Sequence, residues 1–188
     1  MKKKDIRKVY KQKRGELTDD LRKDLDQMIA EHFQKLSLPP IQYLHHYMPV
    51  EDQHEVRLRL IIQYLKNNYP AMQQIVPVMI GEEMQSVIYN DSMLTRKNQW
   101  GIDEPVDHIA AEIQFIQCVL VPLLAFDNSG HRVGYGKGCY DKFLVSCRKD
   151  VIKIGLSYFE AVNEISDTDK FDIPLNYCIT PRNIYEFG

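Results

Sequence analysis

Apolar residues recur along the chain with two periods, and the alternation between them predicts its elements. In residues 1–15, Ile6, Val9 and Tyr10 are interleaved with Lys2, Lys3, Lys4, Arg7, Lys8, Lys11, Lys13 and Arg14, which predicts an amphipathic helix with a basic outer face. Thr18 then predicts an N-cap, with Asp19 and Asp20 opening a second helix that carries Leu21, Leu25, Met28, Ile29, Phe33 and Leu36 on one side. Pro39 and Pro40 end it, and residues 41–47 read as the first strand. His45 and His46 are adjacent there and face opposite sides, an expectation that leaves at most one of them buried or near a site. A helix over 56–67 with Leu58, Ile61, Ile62 and Leu65 inward is followed by strands over 74–80 and 86–89, paired around the turn Gly81-Glu82-Glu83. Residues 98–105 read as a loop holding the only tryptophan, Trp100. The most continuous apolar run, 115–126, predicts a central strand buried on both faces, and 151–158 predicts another strand.

Strands alternating with helices predict an α/β domain: a three-layer, Rossmann-like open sheet, largely parallel or mixed, with helices on both faces and ligand loops at the strand C-terminal edge. At 188 residues the chain is read as one domain over 1–188, large enough to bury a core without staples. A net charge of −2 and a pI near 6.3 argue against a general nucleic-acid surface. Cys118, Cys139, Cys147 and Cys178 form no C-x-x-C pair and suit reduced thiols, so a cytoplasmic protein is expected. The basic start is followed by no apolar targeting segment, and the longest apolar run, 119–126, is too short for a bilayer. The six histidines and four cysteines lack zinc-ligand spacing.

The chemistry concentrates in residues 120–141, which read as a buried strand, a turn, a glycine-rich loop and a helix start. Gly134, Gly136 and Gly138 let the backbone approach a ligand, while Arg132 and Lys137 supply positive charge. Tyr140, Phe143, Leu144 and Cys147 fall at helical spacing behind the loop, so helix N-terminal amides should face the same guest, for which phosphate is the natural choice. The motif is not a Walker loop, which needs Lys followed by Ser or Thr, nor the dinucleotide G-x-G-x-x-G. Glycine spacing alone admits a tight strand-to-helix turn equally well. Arg132, Lys137 and the carboxylate of Asp141 weigh toward phosphate.

This phrase resembles the signature of the 5-formyltetrahydrofolate cyclo-ligases, also called 5,10-methenyltetrahydrofolate synthetases. That signature runs proline, Phe-Asp, Gly-x-Arg-hydrophobic-Gly-x-Gly-Lys/Gly-Gly and aromatic-Tyr-Asp. Four further elements agree in order: Lys3 to Arg7, Glu55-Val56, Gly101-Ile102-Asp103-Glu104-Pro105, and Asp172 to Thr180. The resemblance implies ATP-dependent cyclisation of 5-formyltetrahydrofolate to 5,10-methenyltetrahydrofolate, with release of ADP and phosphate. It implies ATP binding by Lys3, Arg7, Arg132, Val133, Gly134, Tyr135, Gly136, Lys137, Gly138, Cys139 and Tyr140, with Lys137 and Arg132 carrying the catalysis. The reduced folate falls to Glu55, Met48, Trp100, Tyr135 and Cys139, and magnesium to Asp141 and Asp172. Glu51 competes with Glu55 if the loop is read with a different gap, and a glutamate at a helix start could merely complement the helix dipole. Arg57-Leu58 stand where the family often has an acidic residue and threonine, Asn176 where an aspartate is usual, and Cys139 where an aromatic is usual. Cys139 is read as packing or substrate wall. The expected partners are small molecules, with no nucleic acid and no membrane, and the chain is expected to be a monomer. Two other readings keep part of the pattern: a different ATP-dependent kinase or ligase, and a non-enzymatic module binding nucleic acid or an acidic partner through the basic helix.

Overall fold

The computed structural model describes residues 1–81 and 83–188; Glu82, in the middle of the expected Gly81-Glu82-Glu83 turn, lies outside the described residues. Among the described residues the elements run α1 (Lys3–Gly15), α2 (Asp19–Phe33), β1 (Tyr43–His45), α3 (Arg59–Asn68), β2 (Gln73–Ile80), β3 (Glu83–Tyr89), β4 (Thr95–Lys97), β5 (Asp103–Pro105), β6 (Cys118–Val121), β7 (Ala125–Phe126), β8 (Arg132–Val133), α4 (Cys139–Ser146), β9 (Ile152–Leu156), β10 (Tyr177–Ile179) and β11 (Ile184–Glu186). The main sheet has the order β11-β10-β9-β6-β1-β2-β3, parallel from β10 to β2 and closed by an antiparallel strand at each edge. Two ribbons, β4-β5 and β7-β8, stand apart from it.

Alternate residues of β6 explain the layers. Cys118 and Leu120 join the cluster built on Ile29, Phe33, Ile61 and Leu65 of α2 and α3, whereas Val119 and Val121 join Phe143 and Leu144 of α4. Helices therefore cover both faces, as the pattern predicts. The chain leaves β1 toward β2 and later returns to β6 on the other side of β1, so the crevice of a doubly wound sheet opens above these strand ends.

Several elements differ from the sequence pattern for definite reasons. The apolar run 115–126 is not one strand: Pro122 has no N–H to donate, sheet pairing ends at Val121, and Ala125-Phe126 pair instead with Arg132-Val133. Gly155 permits this break to pack, because a Cβ there would lie 2.5 Å from Leu123 and 2.7 Å from Leu175. Thr18 caps α2 by accepting from the Leu21 amide at 3.3 Å, yet Leu21 and Met28 are exposed. The buried stripe instead includes Arg22 and Asp26, which serve the backbone after β1. There the main chain of residues 55–57 bonds to the side chains of Tyr158, Tyr47 and Asp26, which delays α3 to Arg59. His45 and His46 are both buried, because β1 is covered on both faces. Burial pushes the His45 imidazole down to about 3. Residues 98–105 are only partly loop, since Asp103–Pro105 form β5.

Candidate active site

A cavity of about 1010 Å³ opens at the C-terminal ends of β1 and β6. That is at the top of the roughly 300–1,000 Å³ typical of a single ligand pocket, so it has room for two guests side by side. One wall is the loop Gly134–Gly138, which leads directly into α4. Gly136 and Gly138 hold φ of 101° and 67°, values that side chains rarely adopt. Gly136 is also bare for a second reason. A Cβ there would lie 3.3 Å from Cζ and Nε of Arg7, whose Nε donates to the Gly134 carbonyl at 2.9 Å.

Four cations from three segments reach this wall. Lys3 Nζ contacts both oxygens of Asp172, at 2.7 and 2.5 Å. Burial works against the Asp172 charge, but the Lys3 ammonium and the Asp169 amide outweigh it and hold the carboxyl below its ordinary value. Arg132 is buried and donates through Nη2 to Asp141 Oδ1 at 2.7 Å and through Nη1 to the Ile173 carbonyl. Burial lowers the pKa of its guanidinium, and the carboxylate of Asp141 opposes that. Lys137 Nζ lies 3.9 Å from the centroid of the Trp100 ring. With Arg7 against the loop backbone, four charges gather at a glycine-rich loop that leads into a helix, an arrangement suited to a polyanion.

Another part of the lining is apolar, with one buried acid. Met48, Pro77, Met79, Met84, Trp100 and Ile102 line it. Glu55 is 5% exposed; its Oε2 accepts from the Val50 amide at 2.8 Å and its Oε1 from the Tyr135 hydroxyl at 2.7 Å. Burial raises the Glu55 pKa, while those two donors and the nearby Arg14 charge favour the ionised form. Glu104, from β5, faces the same space and is fixed by the Met79 amide at 2.8 Å and Asn98 Nδ2 at 2.7 Å. A desolvated carboxylate beside an apolar slot can take paired N–H donors from a flat heterocycle.

The residues singled out in the sequence converge here with one exception. Lys3, Arg7, Met48, Glu55, Trp100, Arg132, Gly134, Tyr135, Gly136, Lys137, Gly138, Cys139, Tyr140, Asp141 and Asp172 all line the cavity. Val133 does not. It is buried with Ile6, Tyr10 and Leu124, because alternation along β8 turns it inward while Arg132 faces the cavity. Glu51 points elsewhere, to Arg22 at 3.0 Å, and Glu55 precedes α3 instead of complementing its dipole. Arg14 was not singled out, yet it donates to the Tyr135 hydroxyl at 2.9 Å. The signal was present: Ile6, Tyr10 and Arg14 fall at i, i+4 and i+8, which puts a cation on the buried stripe of α1.

A model of the 5-formyltetrahydrofolate cyclo-ligase family matches residues 1–181. A Mycoplasma genitalium protein named 5-formyltetrahydrofolate cyclo-ligase is 28% identical over 180 residues, covering 94% of this chain and 97% of that protein. A Haemophilus influenzae protein of the same name is 35% identical over 83 residues, 43% of this chain and 44% of its own. Among solved structures, Aquifex aeolicus 5,10-methenyltetrahydrofolate synthetase superposes with a TM-score of 0.81 at 27% identity, over 99% of this chain and 93% of that one. A 5,10-methenyltetrahydrofolate synthetase from Mycoplasma pneumoniae gives 0.76 at 26% identity, over 96% and 99%.

Proposed function

Because this chain belongs to the 5-formyltetrahydrofolate cyclo-ligase family, we propose that it converts 5-formyltetrahydrofolate and ATP to 5,10-methenyltetrahydrofolate, ADP and phosphate. One observation carries the ATP-dependent reading: four cations and a glycine loop form one wall of a cavity whose other wall is apolar and holds a buried carboxylate. The polyphosphate lies against Lys3, Arg7, Arg132 and Lys137, and the pterin lies in the slot with its N–H donors on Glu55.

The formyl oxygen on N5 attacks the γ-phosphorus of ATP, the bond to the β–γ bridging oxygen breaks, and ADP leaves with that electron pair. N10 then attacks the formyl carbon. The carbon–oxygen bond breaks, phosphate departs with its electrons, and the N10 proton goes to solvent, leaving the conjugated methenyl cation. Neither step needs a protein nucleophile. Phosphoryl transfer depends on positioning and on charges placed where negative charge gathers, which is what Arg132 and Lys137 supply in this reading.

Asp141 and Asp172 fit a magnesium site in donor chemistry. Both are hard oxygen donors on the cavity wall, and Asp141 Oδ2 carries no hydrogen bond among the described residues. No cluster of three or more His, Cys, Asp or Glu is assembled among the described residues, so phosphate oxygens and water would complete the shell. Bound magnesium would neutralise phosphate charge. Lys3 and Arg132 stand beside these acids, at 2.5 Å from Asp172 and 2.7 Å from Asp141, and add their charges to the same phosphate-binding region.

The reading takes the chain as a single monomeric domain over residues 1–188. Its four free thiols support a reducing cytoplasmic location, and no helix among the described residues is long and apolar enough to cross a membrane. The deciding experiment follows absorbance of the methenyl product from purified protein with 5-formyltetrahydrofolate, magnesium and ATP. Product should require ATP and form much more slowly in Lys137→Ala. ATP binding without product would leave the nucleotide wall intact and point to a different acceptor.

A further inference from the structure

Arg14 is the most enclosed cation of α1, 2% exposed, and neither of its side-chain hydrogen-bond partners is acidic. Its Nη2 donates to the Leu123 carbonyl at 2.5 Å and its Nη1 to the Tyr135 hydroxyl at 2.9 Å. The same hydroxyl donates to Glu55 Oε1 at 2.7 Å. A phenol has one proton to give, so accepting from a guanidinium leaves that proton for the carboxylate. We propose that Arg14 and Tyr135 are positioning residues, a relay that fixes the Glu55 carboxylate for the reduced folate. The proposal rests on the reading that Glu55 receives the pterin.

Two features separate this from scaffolding. The Glu55 main chain is anchored independently, its carbonyl accepting from Tyr158 at 3.2 Å and Arg22 Nη2 at 3.4 Å. Losing the relay should therefore free the carboxylate without freeing the chain. Moreover, the buried guanidinium balances a buried carboxylate through one hydroxyl, an arrangement that costs too much desolvation to persist without the partner. The charged and titratable groups facing Glu55 are Arg14 and Tyr135 with Tyr47 and Tyr140, while Tyr158 and Arg22 stand at its carbonyl.

The test uses steady-state kinetics on Tyr135→Phe, Arg14→Lys and Glu55→Gln, with circular dichroism to verify folding. Removing a donor to a charged group should raise KM for 5-formyltetrahydrofolate about ten- to a hundredfold in Tyr135→Phe, leaving KM for ATP within about twofold. Arg14→Lys keeps the charge without the fork and should fall between Tyr135→Phe and the native protein. Because the hydroxyl and the guanidinium favour ionised Glu55, losing either should move the acid limb of kcat/KM for the folate to higher pH. Parallel changes in both KM values, or an unmoved acid limb, would overturn the relay. If Glu55→Gln raises the folate KM while Tyr135→Phe does not, the relay alone fails. If Glu55→Gln leaves the folate KM unchanged, the assignment of Glu55 fails and the relay with it.

Discussion

The two walls of the cavity are built on opposite plans. On the wall proposed for the nucleotide, charge sits on long side chains in pairs: Lys3 with Asp172, Arg132 with Asp141, Lys137 against Trp100. On the side proposed for the folate, charge sits on a short, buried acid whose two oxygens are already bonded to the Val50 amide and the Tyr135 hydroxyl. A polyphosphate brings enough charge to exchange partners with, so its wall can be provisional. A neutral pterin brings only directional hydrogen bonds, so its acceptor must be set in advance.

The contrast can be broken most severely at Arg132. Arg132→Met should lower kcat by about a thousandfold, since it removes a buried charge from the phosphoryl path and leaves Asp141 uncompensated. Rapid-quench measurement of ADP formation would check it, and a kcat within tenfold of the native protein would refute the role. Lys137→Ala should lower kcat/KM for ATP by about a hundredfold, and its effect should be nearly absent in KM for the folate. If that variant weakened the folate equally, the walls would not be separable. The smallest effect is on stability. Glu55 has a folded-state pKa raised by burial, so its contribution to stability is present below the ordinary glutamate value near 4.3 and is lost as pH rises through the folded value. The difference in Tm between the native protein and Glu55→Gln should therefore shift against the native protein, by the equivalent of about 1 kcal/mol or less, on going from pH 4 to 7. Calorimetry across that range that showed the opposite slope would refute it.

What could be read from the sequence followed the range of the interactions. The glycine loop with Arg132 and Lys137 is a local arrangement of strand, turn and helix, and was legible from spacing and charge. Glu55 was legible only through family resemblance, because the bonds that give it meaning come from Val50, Tyr135 and, at its carbonyl, Tyr158. Arg14 is hard to pick out because a lysine-rich helix hides one cation that turns inward. Hydrophobicity alone carried the 115–126 strand past Pro122, where the missing amide ends sheet pairing. Val133 belongs by sequence to the loop motif, but strand alternation assigns it to the core.

Trp100 is the chain's only tryptophan, and its ring lies beneath the Lys137 ammonium in the cavity lining. All indole emission therefore originates beside the cation expected to turn toward the nucleotide. A fluorescence titration with excitation at the red edge, where tyrosine does not absorb, needs no label and no engineered probe and reports on this one location.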